Sequence, residues 1–383
     1  MLPAPQGGQK AIFGWDVFDA WDTGNYRNIA TSGYEYINDG KAHNVAFFPL
    51  FPLLIRGLMN VGLPFEISGV LINNIAFLCT LCFLYLWLLE QSDENSAKWS
   101  VIVVALSPLS FVGTVIYTEG LYLFLSVAAL RAFDNKHYYW SGFWGAFATA
   151  TRPTGLALIP ALIFTAFFKR LKFQAYLGAI ASSVGVLLFS LYCYQQFGDP
   201  LAFIHAQKGW RPSLGFYGEG WLKMFVQITF GPVNWKHPFK DLLFPGAIAL
   251  IMSVGYLLWR NRHKISPAKV DYGLGILVFI WWILAGDPLI NTACIVGSLY
   301  LLWLLRSSLT TSTLIYGYCG IGLLLASGGT ISLSRLAYGI VSVSICLGVL
   351  LSRHPRWGYM VMGFFTLLLA TFSIRFAQNL WIG

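Results

Sequence analysis

Apolar runs follow one another almost without pause through this chain, at roughly 66–90, 99–117, 119–133, 138–151, 154–168, 174–197, 242–260, 271–286, 289–306, 312–328, 335–352 and 357–378. A hydrocarbon layer about 30 Å thick asks for about 20 apolar residues per helical crossing, and backbone groups that meet no water there must bond within their own segment. The chain is therefore expected to be all-α, a polytopic transmembrane helical bundle of about twelve helices. Composition agrees, since 57% of the 383 residues are hydrophobic and only 11% charged, a balance that burial of one soluble core does not need. Many of the 15 Trp and 19 Tyr stand near the ends of these runs, where amphipathic rings anchor at the membrane–water interface.

The formal charge of +9 comes from basic residues scattered in short clusters beside the apolar runs, which is a topology signal and not a nucleic-acid surface. Membrane lipids are the expected surroundings, and no nucleic-acid partner is expected. The positive-inside rule places Lys169-Arg170-Leu171-Lys172, Arg260-Asn261-Arg262-His263-Lys264 and Arg353-His354-Pro355-Arg356 in the cytoplasm. Counting spans outward puts Tyr117 to Gly120, Arg152, the 198–241 loop, Asp287 and the Ser332 to Arg335 turn together on the extracytoplasmic side. Cys79, Cys82, Cys193, Cys294, Cys319 and Cys346 all fall inside apolar stretches, where free cysteine packs as a small hydrophobe. MLPAPQGGQK shows no cleavable signal peptide, so insertion is expected to use the internal spans.

Two regions follow. Residues 1–62 are expected to form an extracytoplasmic acidic loop with interfacial helices, because 1–45 is the least hydrophobic part and holds Asp16, Asp19, Asp22, Glu35 and Asp39. The segment 46–62, with two prolines and Arg56 at its middle, is too short to span and reads as interfacial or re-entrant. Residues 63–383 form the multi-span domain, including the long outer loop 198–241, whose amphipathic piece Trp221 to Phe230 is expected to lie on the membrane. The short 138–151 run, about 21 Å long as a helix, is expected to enter obliquely and leave Arg152 at a sheltered depth.

Asp16, Asp19 and Asp22 recur at i, i+3 and i+6 with Tyr26 another turn on; if helical, they share one drifting stripe. A carboxylate partly desolvated between Trp15 and Trp21 suits deprotonation of a sugar hydroxyl, although a solvated interfacial face has the same spacing. Glu35 and Glu119 sit beside tyrosines, and each reads as a partner for sugar hydroxyls; for Glu119 the positive end of a helix is an alternative reason. Arg152 interrupts apolar sequence, where a cation is costly unless paired; a lipid phosphate or an acid such as Glu119 would serve. Arg335, and Lys208 with Arg211, could hold the same phosphate or simply reach the headgroups.

No Walker loop, dinucleotide fingerprint or HExxH helix is present in the sequence, which argues against an ATP-driven pump, a zinc protease of the usual kind and a nucleotide-sugar donor. Outward-facing acids and cations fit a sugar donor presented from the membrane as a lipid phosphate. A lipid-linked sugar flippase or small-solute transporter is the alternative, but it predicts polar residues strung through the bundle, and no internal repeat is legible. Three acids could hold a divalent cation, and no cofactor is certain.

The order WDTGNYRNIATSGYEY, AFFPLFPLLIR, YTEGLY, TRPTG, FGDPLAFIHAQKGW and ISLSRLAYG, from about residue 15 to 340, resembles the PIG-V-like mannosyltransferases of the GT-C glycosyltransferase class. The resemblance implies the GT-C type of bundle and an inverting transfer of a hexose, expected to be mannose, from a polyprenyl-phosphate sugar to a lipid- or envelope-glycan acceptor on the extracytoplasmic face. It implies that Asp22 is the catalytic base or its close partner, with Asp19 and Asp16 in reserve, and that Arg152 and Arg335 are candidates for the donor phosphate. Asp19, Tyr26, Glu35, Glu119, Lys208 and Arg211 complete the expected donor phosphate and sugar site. It also implies a first transmembrane helix ahead of the acidic loop, which is expected to be missing from this sequence.

Overall fold

The computed structural model describes residues 13–212 and 215–380; the polar start read at residues 1–10 lies outside them. Among the described residues the regular elements are all helical. The amino-terminal region holds α1 (Thr23–Thr31) and α2 (Leu50–Asn60). In α2, Phe51, Pro52 and Ile55 are buried while Leu53, Leu54 and Arg56 are exposed, one face on the protein and the other free to meet lipid.

Four helices then run back and forth: α3 (Phe65–Gln91), α4 (Glu94–Leu106), α5 (Glu119–Asp134) and α6 (Tyr138–Thr151). They are followed by α7 (Leu158–Phe168), α8 (Phe173–Ala181) and α9 (Val184–Phe197), the last two forming one apolar span broken at Ser182-Ser183. The loop region carries α10 (Ala202–His205), α11 (Gly218–Thr229) and α12 (Pro232–Lys236). The remaining helices are α13 (Leu243–Arg260), α14 (Pro267–Ala285), α15 (Asp287–Thr292), α16 (Ser298–Leu304), α17 (Thr311–Leu325), α18 (Leu333–Tyr338), α19 (Val341–Arg353) and α20 (Pro355–Ala377). Six of the described helical stretches are long and apolar enough to cross a membrane, and the others are shorter or interrupted.

The interruptions correct the continuous runs expected from sequence. The 99–117 run stops as a helix at Leu106, because Pro108 forces Ser107 into an extended conformation (φ −51°, ψ 140°). The chain then passes through a 3-10 turn, Ser110–Gly113, before α5 begins. Two asparagines from α3 satisfy the backbone this break leaves open: Asn73 Nδ2 donates to Val112 O (3.3 Å) and Val115 O (2.6 Å), and its Oδ1 accepts from Leu121 N (3.0 Å). Asn74 Nδ2 donates to Thr114 O at 2.8 Å. The 335–352 run likewise divides into α18 and α19 at Gly339-Ile340.

Chain direction sorts the helix ends into two groups. At one end Trp87 Nε1 and Ser312 Oγ donate to the Asp134 carboxylate, and Asn95 Nδ2 donates to Ser352 O. The basic connections after α7, α13 and α19 lie at that end. At the other end the start of α5, the end of α6, α1 and α18 converge.

Candidate active site

Each charged residue at this convergence occupies a position its helix favours. Glu119 is the first residue of α5, where the exposed N–H groups of a helix favour an anion. Arg152 caps α6 at the opposite, electronegative kind of terminus, held extended (φ −154°, ψ 151°) by the proline after it. Asp22 opens α1 immediately after Trp21, whose φ of 58° is in the left-handed region that bulky side chains avoid. Arg335 rides on the six-residue α18, entered through Ser332, also at φ 58°.

These four form one chain of alternating charge. Arg335 Nη2 donates to Asp22 Oδ2 at 2.6 Å, Arg335 Nε lies 3.1 Å from Glu119 Oε1, and Arg152 Nη1 lies 2.6 Å from the same oxygen. Side-chain exposures of 21% for Asp22, 13% for Arg335, 8% for Arg152 and 1% for Glu119 put the cluster largely out of water. The two contacts at Glu119 Oε1 are close enough for ion pairing, but their N–H bonds do not point at the oxygen, so neither is a hydrogen bond. Arg335 to Asp22 is the aligned, charge-assisted bond of the set.

Aromatic residues wall the cluster. The Arg335 guanidinium lies 5.0 Å from the centre of the Tyr117 ring, and that of Arg152 lies 6.0 Å from Tyr122. Tyr26, fully inside, places its hydroxyl 3.4 Å from Thr118 Oγ1. Burial, then the charges of Asp22 and Glu119, push that hydroxyl above its ordinary pKa, so it stays neutral. Arg211 approaches from the outer loop, its Nη1 donating to Ile331 O at 3.4 Å, and burial together with the nearby Arg335 charge lowers its pKa.

Of the residues expected from sequence, Asp22, Tyr26, Glu119, Arg152 and Arg335 are thus gathered, with Arg211 at the edge. Others stand apart. The single stripe of Asp16, Asp19 and Asp22 does not form, because the chain makes a 3-10 turn at Trp15–Phe18 and then reverses at Trp21 before α1. Asp16 is exposed; Asp19 pairs with Arg27 Nη2 at 3.0 Å, and the same nitrogen donates to Glu66 at 2.7 Å. The Glu35 and Lys208 side chains are exposed, with no ion pair to either among the described residues. No three acidic, histidine or cysteine side chains come together at metal-binding distance among the described residues.

Sequence reading missed Tyr117 and Tyr122 as the walls of the site, although aromatics two residues before and three after Glu119 were the available signal. It also missed a surface cluster in which Tyr36 OH donates to Asp199 Oδ2 (3.0 Å) and His205 Nδ1 lies 2.7 Å from the same oxygen.

The profile of the family described as Mannosyltransferase (PIG-V) matches residues 11–206, just over half of the chain. The human GPI alpha-1,6-mannosyltransferase 2 is 26% identical over 230 residues, 51% of this chain and 46% of that protein; the Cricetulus griseus protein of the same name is 27% identical over the same coverage. The aligned part therefore spans under half the length of these relatives. Among solved structures, the apo oligosaccharyltransferase of Archaeoglobus fulgidus superposes with a TM-score of 0.47 at 12% identity, over 96% of this chain and 52% of that one. Its complex with an inhibitory peptide and a dolichol-phosphate gives 0.43 at 13% identity, over 95% and 51%.

Proposed function

Because the chain belongs to the mannosyltransferase (PIG-V) family, we propose that it is an integral-membrane mannosyltransferase of the GT-C type that takes a hexose from a polyprenyl-phosphate sugar. The observation that carries this reading is the charge cluster: Arg152 and Arg335 against Asp22 and Glu119, with the half-buried Arg211 at its edge, three cations to two anions. A surplus cation in a low-dielectric site is costly until an anion completes it, and guanidinium forks match phosphate oxygens in pairs.

In the reaction, a hydroxyl oxygen of the glycan or lipid acceptor forms a bond to the anomeric carbon while the bond from that carbon to the phosphate oxygen breaks. The electron pair leaves on the polyprenyl phosphate and the hydroxyl proton passes to Asp22. Attack opposite the leaving group inverts the anomeric centre. Arg152, Arg335 and Arg211 stabilise the charge that grows on the phosphate, an interaction strongest in the transition state. Tyr26 remains neutral, buried one turn along α1 from Asp22. Guanidiniums supply the phosphate contacts here, so transfer should persist in the presence of a metal chelator.

The active face is read as extracytoplasmic. What supports this is that the connections bearing Lys169, Arg170, Lys172, Arg260, Arg262, Lys264, Arg353 and Arg356 lie at the end of the bundle opposite the cluster.

The test is incorporation of radiolabelled sugar from polyprenyl-phosphate mannose, and separately from polyprenyl-phosphate glucose, into membrane lipids and glycans by purified protein. We expect transfer from the mannose donor, and a loss on the order of 10²–10⁴-fold in the Asp22→Asn variant. Near-normal turnover by Asp22→Asn would remove Asp22 as the base, and absence of transfer from either donor would remove the enzyme reading.

A further inference from the structure

Resting on the donor reading above, we propose that Arg335 is shared between two anions: it holds Asp22, and a donor phosphate that takes its guanidinium releases that carboxylate to act as base.

The geometry of the four charges carries this. Asp22 Oδ2 accepts from Arg335 Nη2 at 2.6 Å, so one of the two carboxylate oxygens is tied to this cation. Of the two guanidiniums, Arg335 alone holds an aligned bond to the base. Among the described residues Arg152 pairs with Glu119, at 2.6 Å, and not with Asp22, and its backbone is extended before Pro153. The two arginines are therefore held differently: Arg335 is bonded to the base itself, and Arg152 is not.

The exchange belongs to the Arg335 side chain. α18 is six residues long, preceded by Ser332 in the left-handed region and followed by the Gly339-Ile340 break, with Leu333, Ser334, Ala337 and Tyr338 buried. The helix is held by Asn291 Oδ1, which accepts from Ser334 N at 2.9 Å, and by Tyr338, whose OH donates to Val104 O at 2.9 Å. Glu119 Oε1 lies 3.1 Å from Arg335 Nε, outside hydrogen-bond alignment, so rotation of the fork toward a phosphate costs no second hydrogen bond. Arg211 Nη1 donates to Ile331 O, four residues before Arg335, and so brings a further cation near it that favours an incoming anion.

The proposal makes an unusual demand on the base variant: removing the Asp22 carboxylate should improve binding of the leaving group while abolishing chemistry. A charge-assisted hydrogen bond that competes for one guanidinium corresponds to a change of roughly tenfold or more in affinity.

The experiment measures binding of radiolabelled polyprenyl phosphate to purified, lipid-reconstituted protein in native, Asp22→Asn and Arg335→Gln forms, each checked for its thermal transition. Tighter binding by Asp22→Asn and weaker binding by Arg335→Gln is the expected result. If native protein binds the lipid and Asp22→Asn binds it equally or less tightly, the exchange is overturned while the donor reading stands. If Arg335→Gln binds as native protein does, Arg335 is not the phosphate's partner and the exchange fails. If native protein does not bind it at all, the donor reading and the exchange fall together. Should Arg335→Gln not fold, the comparison of native protein with Asp22→Asn decides alone.

Discussion

Glu119 is the residue on which the buried charges depend, because two guanidiniums share one of its oxygens at 1% exposure. Glu119→Gln leaves Arg152 without its counter-ion and Arg335 with Asp22 alone, and removing one member of a buried ion pair costs about 3–5 kcal/mol. The purified variant should melt well below native protein in a detergent thermal-shift measurement. Removing Arg152 as well, in Glu119→Gln with Arg152→Gln, should cost less than the two single changes added together, since the second change takes away a charge the first had stranded. The pairing of Arg152 with Glu119 was legible as one of two options, because an intramembrane cation must find an anion. Its sharing with Arg335 was not, since a stretch of more than 180 residues separates the two arginines in sequence and no local pattern links them. Asp19 and Asp22 show the limit most plainly: helical spacing would have aligned them, but the left-handed Trp21 turns Asp22 inward and leaves Asp19 to Arg27.

At the scale of elements, breaks in helices matter more than their lengths. Hydropathy located the apolar runs well, yet could not show that Pro108 ends α4 early, because Ser107 to Thr118 is apolar whether or not it is helical. The polar side chains that make such a break tolerable belong to another helix, α3, and Asn73 carries three of the bonds. Asn73→Leu should therefore destabilise the protein strongly, on the order of 1–3 kcal/mol for each backbone group left unsatisfied, and Gly120→Ala should do likewise because its Cβ would lie 2.5 Å from Gly113 O. Both are read as lowered melting temperature and poorer yield from membranes.

The outer loops are joined differently, through Asp199. Burial raises its pKa, but the bonds from His205, the Leu201 N–H and Tyr36 outweigh that and leave it below the ordinary carboxylate range. Burial and the bond to Asp199 push Tyr36 up to about 12. The depressed carboxylate contributes stability above its unfolded value, about pH 4, that is lost as pH falls through the folded one; the raised phenol contributes below about pH 10 and is lost on approaching 12. Amide exchange of residues 34–43 and 199–205, compared between native and Asp199→Asn protein at matched pH, should differ most between these limits and converge outside them.

For the whole molecule, topology is the property most directly exposed to test. With native cysteines replaced, Lys41→Cys and Lys208→Cys should react with a membrane-impermeant maleimide from outside the cell, and Lys172→Cys and Arg262→Cys only after permeabilisation. The reverse pattern would turn the site to the cytoplasm. The two sets of helices also differ in how much protein surrounds them: the apolar stretches of α3 and of α8 with α9 are 39% buried, against 17% for α13 and α20 and 11% for α14. That difference should be written into the record of tolerated change. Along α13, α14 and α20 one apolar residue should replace another almost freely, so these segments drift fast and retain only their oiliness. In the α6 seam, where Gly185 meets the Ala146 carbonyl and Gly178 that of Tyr138, even one added methyl is refused. Relatives of this chain would then stay alignable through one half of the bundle long after the other half had become unrecognisable letter by letter.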